Sequence, residues 1–289
     1  MKKSPLFALA VLGSVAVAAQ VAFAQGRIDT MAKIKAAKVI NVAYSPDSIP
    51  FSVKGDNGEP VGYTIDLCKR VITQIGRAIG GADLKVNWLP GSVGERLQMV
   101  ASGRADLECA NTTPTQSRLA TVDFSNLVFL DTGGLLVKAS GAINSTGDLS
   151  GKRIAVLKGT TMESRLKESL HRRLVNAELV PIDSAGDGIA MLESGTADAY
   201  AGDKIKLVGL MATAKDPMMF SLLGEDLSFE PYALALPRGD SAMRLEVNKA
   251  LTQVYNSPDI ESIFKKWMGR LGQPGPLLAA LYLLNSIPE

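Results

Sequence analysis

The sequence contains one histidine and two cysteines among its 289 residues, and this scarcity excludes several kinds of chemistry. With His171 as the only histidine and no G-x-S-x-G motif, a Ser-His-Asp hydrolase has no support. Two cysteines and one histidine do not complete a four-ligand zinc site, so no metal is expected. Neither a P-loop nor a G-x-G-x-x-G motif occurs, and no nucleotide or other cofactor is expected.

An excess of positive charge is also missing. Lys and Arg total 31 against 29 Asp and Glu, and two of the lysines, Lys2 and Lys3, fall in a segment predicted below to be removed. Nucleic acids and anionic membranes are bound through clustered Lys and Arg, so neither is expected as a partner. The composition, 46% hydrophobic and 21% charged, is that of a globular protein that can bury a core. The length suits about two domains.

The long apolar run of the chain lies at its amino terminus. Lys2 and Lys3 precede Leu6–Val21, which is rich in Leu, Ala and Val and is followed by Ala22-Phe23-Ala24. Small residues at the first and third positions before a cut are what a signal peptidase accepts. We therefore predict a signal peptide over residues 1–24, cleavage after Ala24, and export. The run is shorter than the roughly 20 residues that cross a bilayer, which argues against an anchor.

Export bears on how the two cysteines, Cys68 and Cys109, are interpreted. In an oxidising compartment such a pair is expected to form a disulfide. A closed loop of about 40 residues would stabilise the fold by roughly 3 to 4 kcal/mol on the chain-entropy model. Spacing alone leaves open the alternative of two buried, reduced thiols.

Strand and helix patterns alternate twice along the chain. Val39–Tyr44 has the pattern of a strand, and Tyr63–Ile79 has apolar residues at helical spacing. The same alternation restarts after Gly151, with a strand at Arg153–Leu157 and a helix at Thr161–Leu174. This order predicts an α/β protein with a largely parallel sheet.

Polar residues follow several of the predicted strands. Asn111 and Thr113 come after the strand that ends at Cys109, and Arg118 lies just beyond, where its planar guanidinium could hold a carboxylate. Thr160 and Thr161 open a helix whose free amides could also face an anion. Asp203 stands between a strand and a helix and could accept an ammonium. Together these residues suit the headgroup of an α-amino acid, although each alone is equally satisfied by a helix cap or a surface position.

The order of these segments resembles the family 3 solute-binding proteins, the periplasmic amino-acid-binding proteins of ABC importers, and most of all their glutamate/aspartate-binding branch. The resemblance covers essentially all of the mature chain. Its matching stretches are Pro50–Ser52, Val61–Asp66, Asp106–Thr113 through Arg118, Gly159–Thr161, Leu192–Gly195 and Ala199–Asp203.

The resemblance implies a type II periplasmic-binding-protein fold, in which two α/β lobes are joined by two crossing strands and the ligand lies between them. Lobe 1 would comprise residues 25–136 plus 229–289, and lobe 2 residues 137–228. The crossings would lie near Gly134–Lys138 and Glu230–Leu236. A monomer in the periplasm would close around its ligand, and the membrane permease of the importer would read the closed form.

Roles for single residues also follow from the resemblance. Arg118 and the amide of Thr113 would take the α-carboxylate, and Thr161 would assist from the second lobe. Asp203 would take the ammonium together with Asn111 and Thr113.

The sequence departs from the branch where the ligand's side chain would be read. Ser45 replaces an arginine and Ala185 replaces a histidine, whereas Arg96 keeps a third contact. Ser48 stands where basic- and amide-selective relatives present an aromatic ring. The pocket is therefore expected to be roomier and less charged, and a polar or moderately apolar amino acid, or a derivative, is as plausible a ligand as glutamate.

Two other functions remain compatible with the same fold. One is a cyclohexadienyl or arogenate dehydratase, which would need a positioned acid, and Glu163 and Glu108 are the candidates. The other is a sensor whose closed state is read by a receptor. The sequence favours a binding protein that is not an enzyme and that feeds an importer.

Overall fold

A computed structural model of the chain describes residues 29–81 and 83–287, and the predicted signal peptide lies outside the described residues. The strands are β1 (Val39–Tyr44), β2 (Asp47–Ser48), β3 (Ser52–Lys54), β4 (Pro60–Val61), β5 (Lys85–Pro90), β6 (Leu107–Thr112), β7 (Val122–Lys138), β8 (Arg153–Leu157), β9 (Glu178–Ile182), β10 (Ala199–Asp203), β11 (Phe220–Leu222) and β12 (Ser228–Pro237). The helices are α1 (Thr30–Ala37), α2 (Tyr63–Ala78), α3 (Val93–Ala101), α4 (Gln116–Leu119), α5 (Thr161–Arg172), α6 (Ala185–Ser194), α7 (Lys204–Met211), α8 (Ser241–Tyr255), α9 (Asp259–Met268) and α10 (Pro276–Leu284). Within these described ranges, no helix is both long enough and apolar enough to cross a bilayer.

Most of the strands form one sheet in the order β5-β1-β6-β12-β7-β10-β8-β9, with β11 also paired to β7. The β1 strand pairs in parallel with β5 and β6, and β8 pairs in parallel with β9 and β10. Between these two parallel groups, β7 and β12 run antiparallel to each other. The predicted α/β class is confirmed, with parallel pairing confined to the two halves of the sheet.

The strand β7 passes from one half of the molecule to the other. It is 17 residues long. Its first part pairs with β12 as far as Gly133, which lies opposite Ser228, and its last part pairs with β10, where Gly133 lies opposite Asp203. A Cβ atom at Gly133 would collide with the side chains of Met162 and Ser228, so glycine permits this close approach. β7 and β12 are thus the two crossing strands. β7 changes its pairing partner at Gly133, one residue before the crossing segment Gly134–Lys138 that the sequence predicts.

Each half has apolar cores of its own. One core packs α2 and α8 against β1, with Ile65, Val71 and Leu251 fully buried. In the other half, Leu135 and Leu136 pack into two clusters around β8 and β10. Fully burying one such side chain contributes roughly 1.5 to 3 kcal/mol. Leu135 and Leu136 therefore belong by packing to the second half, while the lobe limits at residues 136 and 229 stay a prediction.

The loop from β1 to α2 is held in place by glycine and aromatic packing. Gly62, directly before α2, has a φ of 142°, and a Cβ atom there would overlap the carbonyl of Phe51. The Phe51 ring lies edge-on to Tyr63, Phe129 and Tyr232 at centroid distances of 5.0 to 6.2 Å. This packing fixes the loop that carries Ser45 and Ser48.

Cys68 and Cys109 are joined by a disulfide, with their Cα atoms 6.3 Å apart. The bond ties α2 to β6, which leads directly into Asn111 and Thr113. It therefore anchors the strand end on which the candidate site is built.

Candidate functional site

A cavity of about 720 Å³ lies between the two halves of the molecule. All nine residues that the sequence predicts as ligand contacts border it, although their roles toward a ligand stay predictions. They are Ser45, Ser48, Arg96, Asn111, Thr113, Arg118, Thr160, Thr161 and Asp203. Their elements end or begin at this cavity, because the carboxyl ends of the parallel strands on both sides point toward it.

Arg118 is held across the cavity by backbone carbonyls. It lies on α4, a short helix capped by the Thr115 hydroxyl, directly after β6. Its Nη1 donates to the carbonyl of Thr113 at 2.7 Å, and its Nη2 donates to the carbonyl of Gly159, in the other half, at 3.2 Å. Burial lowers the pKa of Arg118, and the carboxylates of Glu108 and Glu230 oppose this shift. The guanidinium is oriented without an ion-pair partner in the described part of the chain, so its charge is available to an anion.

Glu230, on the crossing strand β12, links the two predicted threonines and was missed by sequence reasoning. Its side chain is almost fully buried, and its Oε2 accepts hydrogen bonds from the hydroxyls of Thr113 and Thr161, both at 2.7 Å. Its Oε1 accepts from the Ser228 hydroxyl. Because both threonine hydroxyls donate to Glu230, each threonine can donate to a bound carboxylate only through its backbone amide.

Thr160 serves as the N-cap of α5. Its hydroxyl accepts from the amide of Glu163 at 3.3 Å and donates to the carbonyl of Leu157 at 2.7 Å. The cap places the free amides of the first turn of α5 at the border of the cavity, where they favour negative charge.

Asp203 faces Asn111 and Tyr232 instead of capping its own helix. Its Oδ2 accepts from Asn111 Nδ2 at 3.2 Å and from the Tyr232 hydroxyl at 2.7 Å. The amide of Ile205, in the first turn of α7, donates instead to Asp131 on β7. Burial raises the pKa of Asp203, and the nearby Lys206 opposes that shift. An ammonium group beside Asp203 would remove the cost of its ionisation.

A second carboxyl, that of Asp131, lies behind Asp203 and was not predicted. The Tyr232 hydroxyl is 3.4 Å from Asp131 Oδ2, so one phenol bridges the two carboxyl groups. Burial raises the pKa of Asp131 to about 8, and the charge of Asp203 adds to the shift. The pair therefore holds a proton near neutral pH.

Arg96 borders the cavity but its charge is paired. Its Nε donates to Glu108 Oε1 at 2.8 Å, and its Nη1 donates to the carbonyl of Gly91. Its Nη2 lies 3.4 Å from the hydroxyl of Thr112. Both Arg96 and Glu108 are buried, and breaking such a pair would leave an uncompensated charge. Arg96 can thus offer a ligand its remaining N–H groups but little net positive charge.

The cavity wall that includes Ser45 and Ser48 carries a carboxylate. The Ser45 hydroxyl lies 2.8 Å from that of Ser48 and 3.1 Å from Asp47 Oδ1. Across the cavity, the amide of Ala185 donates to Asp47 Oδ2 at 2.9 Å, so Asp47 occupies the N-terminus of α6. The resemblance implies an arginine at position 45 and a histidine at position 185, whereas this wall presents hydroxyls and negative charge.

No group of three His, Cys, Asp or Glu side chains in the described ranges could hold a metal ion.

Comparison with known proteins gives concordant matches over most of the chain. Residues 40–270 match the bacterial extracellular solute-binding proteins, family 3. An L-glutamate/L-aspartate-binding protein of Pseudomonas aeruginosa is 34% identical over 239 residues, which cover 82% of this chain and 79% of that protein. A glutamate/aspartate import solute-binding protein of Escherichia coli is 30% identical over 262 residues, 91% of this chain and 86% of its own length. The solved structure of an ancestral arginine-binding protein bound to glutamine superposes with a TM-score of 0.71 at 28% identity, covering 80% of this chain and 98% of that one.

Proposed function

The chain belongs to the bacterial extracellular solute-binding proteins of family 3, and on that premise we propose that it captures an amino acid between its two lobes and delivers it to an ABC importer. The observation that carries the proposal is that Arg118 and Asp203, which come from opposite halves, border one cavity. A single small zwitterion can satisfy both charges at once.

The headgroup of the ligand is held by complementary charges. Its carboxylate pairs with the oriented guanidinium of Arg118 and accepts from the amides of Thr113 and of the start of α5. Its ammonium donates to Asp203, whose ionised form is favoured by the adjacent positive charge. Both contacts are made together only when the two lobes are close, so ligand binding favours the closed state.

The place of the protein in the cell and its partner follow from the same premise. After cleavage at Ala24, the mature chain acts in the periplasm as a monomer. The permease of the importer recognises the faces of the two lobes in the closed arrangement and accepts the ligand when they separate. The family assignment and the import function of the Escherichia coli relative support this proposal.

Neither candidate acid for a dehydratase reaction is suited to that role. Glu163 accepts from Lys167 Nζ and from the amide of Gly159, and these hydrogen bonds lower its pKa, which keeps it ionised. Glu108 is paired with Arg96. A general acid must instead hold a proton near the reacting group, so a binding role is favoured over catalysis.

Calorimetry with the twenty amino acids on ligand-stripped protein tests the function. We expect at least one amino acid to bind with one site per chain. Arg118→Ala should lower the affinity for this amino acid at least 100-fold, because the ligand's carboxylate loses its cationic partner. The matched control, Arg172→Ala, removes an exposed arginine at the far end of α5 and should bind as the wild type does. Retained affinity in Arg118→Ala would refute the proposed site.

A further inference from the structure

Lys206, on α7, is a buried cation without a partner. Its side chain is 6% exposed and borders the cavity, and in the described ranges its Nζ makes no hydrogen bond and no ion pair. The other cations of the cavity are engaged: Arg96 with Glu108, Lys158 with Asp183, and Arg118 with two carbonyls. Burying an ammonium is costly unless an acceptor satisfies it. Burial lowers the pKa of Lys206, while the carboxylates of Asp203 and Asp47 oppose the shift.

Asp47 provides the opposite charge at the same end of the cavity. Each of its oxygens already accepts one hydrogen bond, from the Ser45 hydroxyl and from the amide of Ala185. A carboxylate oxygen has a second lone pair, so Asp47 can accept one more donor from a ligand. Lys206 lies near both Asp203 and Asp47, so the end of the cavity that Asp47 borders offers a donor, Lys206, together with an acceptor.

The balance of charges decides which side chain suits this end. The ligand's carboxylate matches Arg118, its ammonium matches Asp203, and Arg96 is neutralised by Glu108. What remains at the border of the cavity is the cation Lys206 with the anions Asp47 and Glu95, and the carboxylate of Glu230 lies behind Thr113 and Thr161. An acidic side chain would add a further negative charge to this set, whereas a carboxamide adds none and has both a carbonyl oxygen and an NH₂ group.

Building on the proposed function, we propose that Lys206 and Asp47 together select an amino acid with a carboxamide side chain, of the glutamine or asparagine class. Lys206 donates to the amide oxygen, and Asp47 accepts from the amide nitrogen. This ligand class differs from the glutamate and aspartate named for the two relatives described above. The difference follows from the two serines and the carboxylate on the wall, which bring no positive charge to the ligand's side chain.

The test is calorimetry of ligand-stripped protein with glutamine, asparagine, glutamate, aspartate and alanine. We expect the wild type to bind a carboxamide at least tenfold more tightly than either acidic amino acid. Lys206 also lies near Asp203, so Lys206→Met changes headgroup binding of all amino acids alike, and it should weaken the preferred carboxamide at least tenfold relative to alanine. Lys204→Met is the matched control, because this neighbouring lysine on α7 pairs with Asp226, away from the cavity. It should leave the order of preference unchanged.

Asp47→Asn is an independent second variant in case Lys206→Met does not fold. Removing the negative charge should shift the ratio of glutamate to glutamine affinity at least tenfold toward glutamate. Preference of the wild type for an acidic or any other side chain, or an unchanged ratio in Asp47→Asn, would refute the inference and leave the proposed function intact. If none of the twenty amino acids binds the wild type, the proposed function itself fails.

Discussion

The buried pair of Asp131 and Asp203 gives a prediction about stability and pH. Burial raises the pKa of Asp131 from 3.8 to about 8. A carboxyl whose pKa is raised in the folded state binds its proton more tightly there than in the unfolded chain. Its contribution to the free energy of unfolding is therefore largest below about pH 4, and it is lost progressively as the pH rises from 4 through 8. Wild-type stability should fall over this interval because of this group.

Asp131→Asn removes the titrating group and keeps the shape. Asp131 Oδ1 accepts from the amide of Thr132 at 2.7 Å, and the amide of Ile205 lies 3.4 Å from Oδ1 and 3.1 Å from Oδ2. An asparagine oxygen in place of Oδ1 therefore keeps the bond to Thr132 and the longer of the two contacts with Ile205. Its NH₂ group then faces Tyr232 and Asp203. The substitution thus changes the proton equilibrium while one acceptor for the cap of α7 remains.

The size of the effect follows from the shift in pKa. Each pKa unit corresponds to about 1.4 kcal/mol, so a fully uncoupled group would lose nearly 6 kcal/mol between pH 4 and 8. Because the two carboxyls titrate as a pair, only part of this belongs to Asp131. We expect Asp131→Asn to match the wild type near pH 4 and to be more stable by about 2 kcal/mol at pH 8.

Urea unfolding of ligand-free protein at several pH values between 4 and 9 measures this difference. Asp83→Asn is the control, because Asp83 is exposed, and its curve should follow that of the wild type. A constant difference between Asp131→Asn and the wild type at all pH values would show that Asp131 does not hold the proton.

Two further predictions concern the cavity wall and the disulfide. Ser45→Arg adds a cation beside Asp47, and we expect at least a tenfold gain in affinity for glutamate or aspartate by calorimetry; no gain would mean that this wall does not face the ligand's side chain. Replacing both Cys68 and Cys109 by serine should lower the free energy of unfolding by roughly 3 to 4 kcal/mol, measured in urea, since a loop between residues 41 positions apart is no longer closed. An unchanged unfolding midpoint in that variant would contradict the stabilising role assigned to the disulfide.

The sequence predicted the residues that border the cavity better than the groups behind them. Asn111, Arg118 and Asp203 were found because each follows a strand, and strand ends of one sheet meet at a common edge. Glu230 was missed because it lies within an apolar strand. Its buried carboxylate is explained only by the hydroxyls of Thr113 and Thr161, which reach it from opposite halves of the molecule. Such contacts depend on pairs that are far apart in sequence.

The same reasoning accounts for the cap of α7. From the sequence, Asp203 stands directly before α7, so it could either cap this helix or accept a hydrogen bond from an ammonium group. In the structure the capping acceptor is Asp131, which is 74 positions away from Ile205 and reaches it only because β7 pairs with β10. Lys206 was likewise passed over, because a lysine on a helix is normally exposed, and its burial depends on how the second half packs against the wall of Asp47.

The bonds that join the two halves across the cavity indicate how ligand binding controls closure. They include the contacts of Arg118 with Gly159, Thr161 with Glu230, Asn111 and Tyr232 with Asp203, Asp47 with the amide of Ala185, and Asp131 with the amide of Ile205. These contacts are polar, while Ile49 packs against the core of the second half and Ile205 packs against that of the first. A polar contact that is exchanged for water changes stability by only about 1 kcal/mol, so each of these contacts opposes opening only weakly. The bonds that a ligand makes to both halves therefore decide the closed population, and a ligand that satisfies only one half leaves that population unchanged.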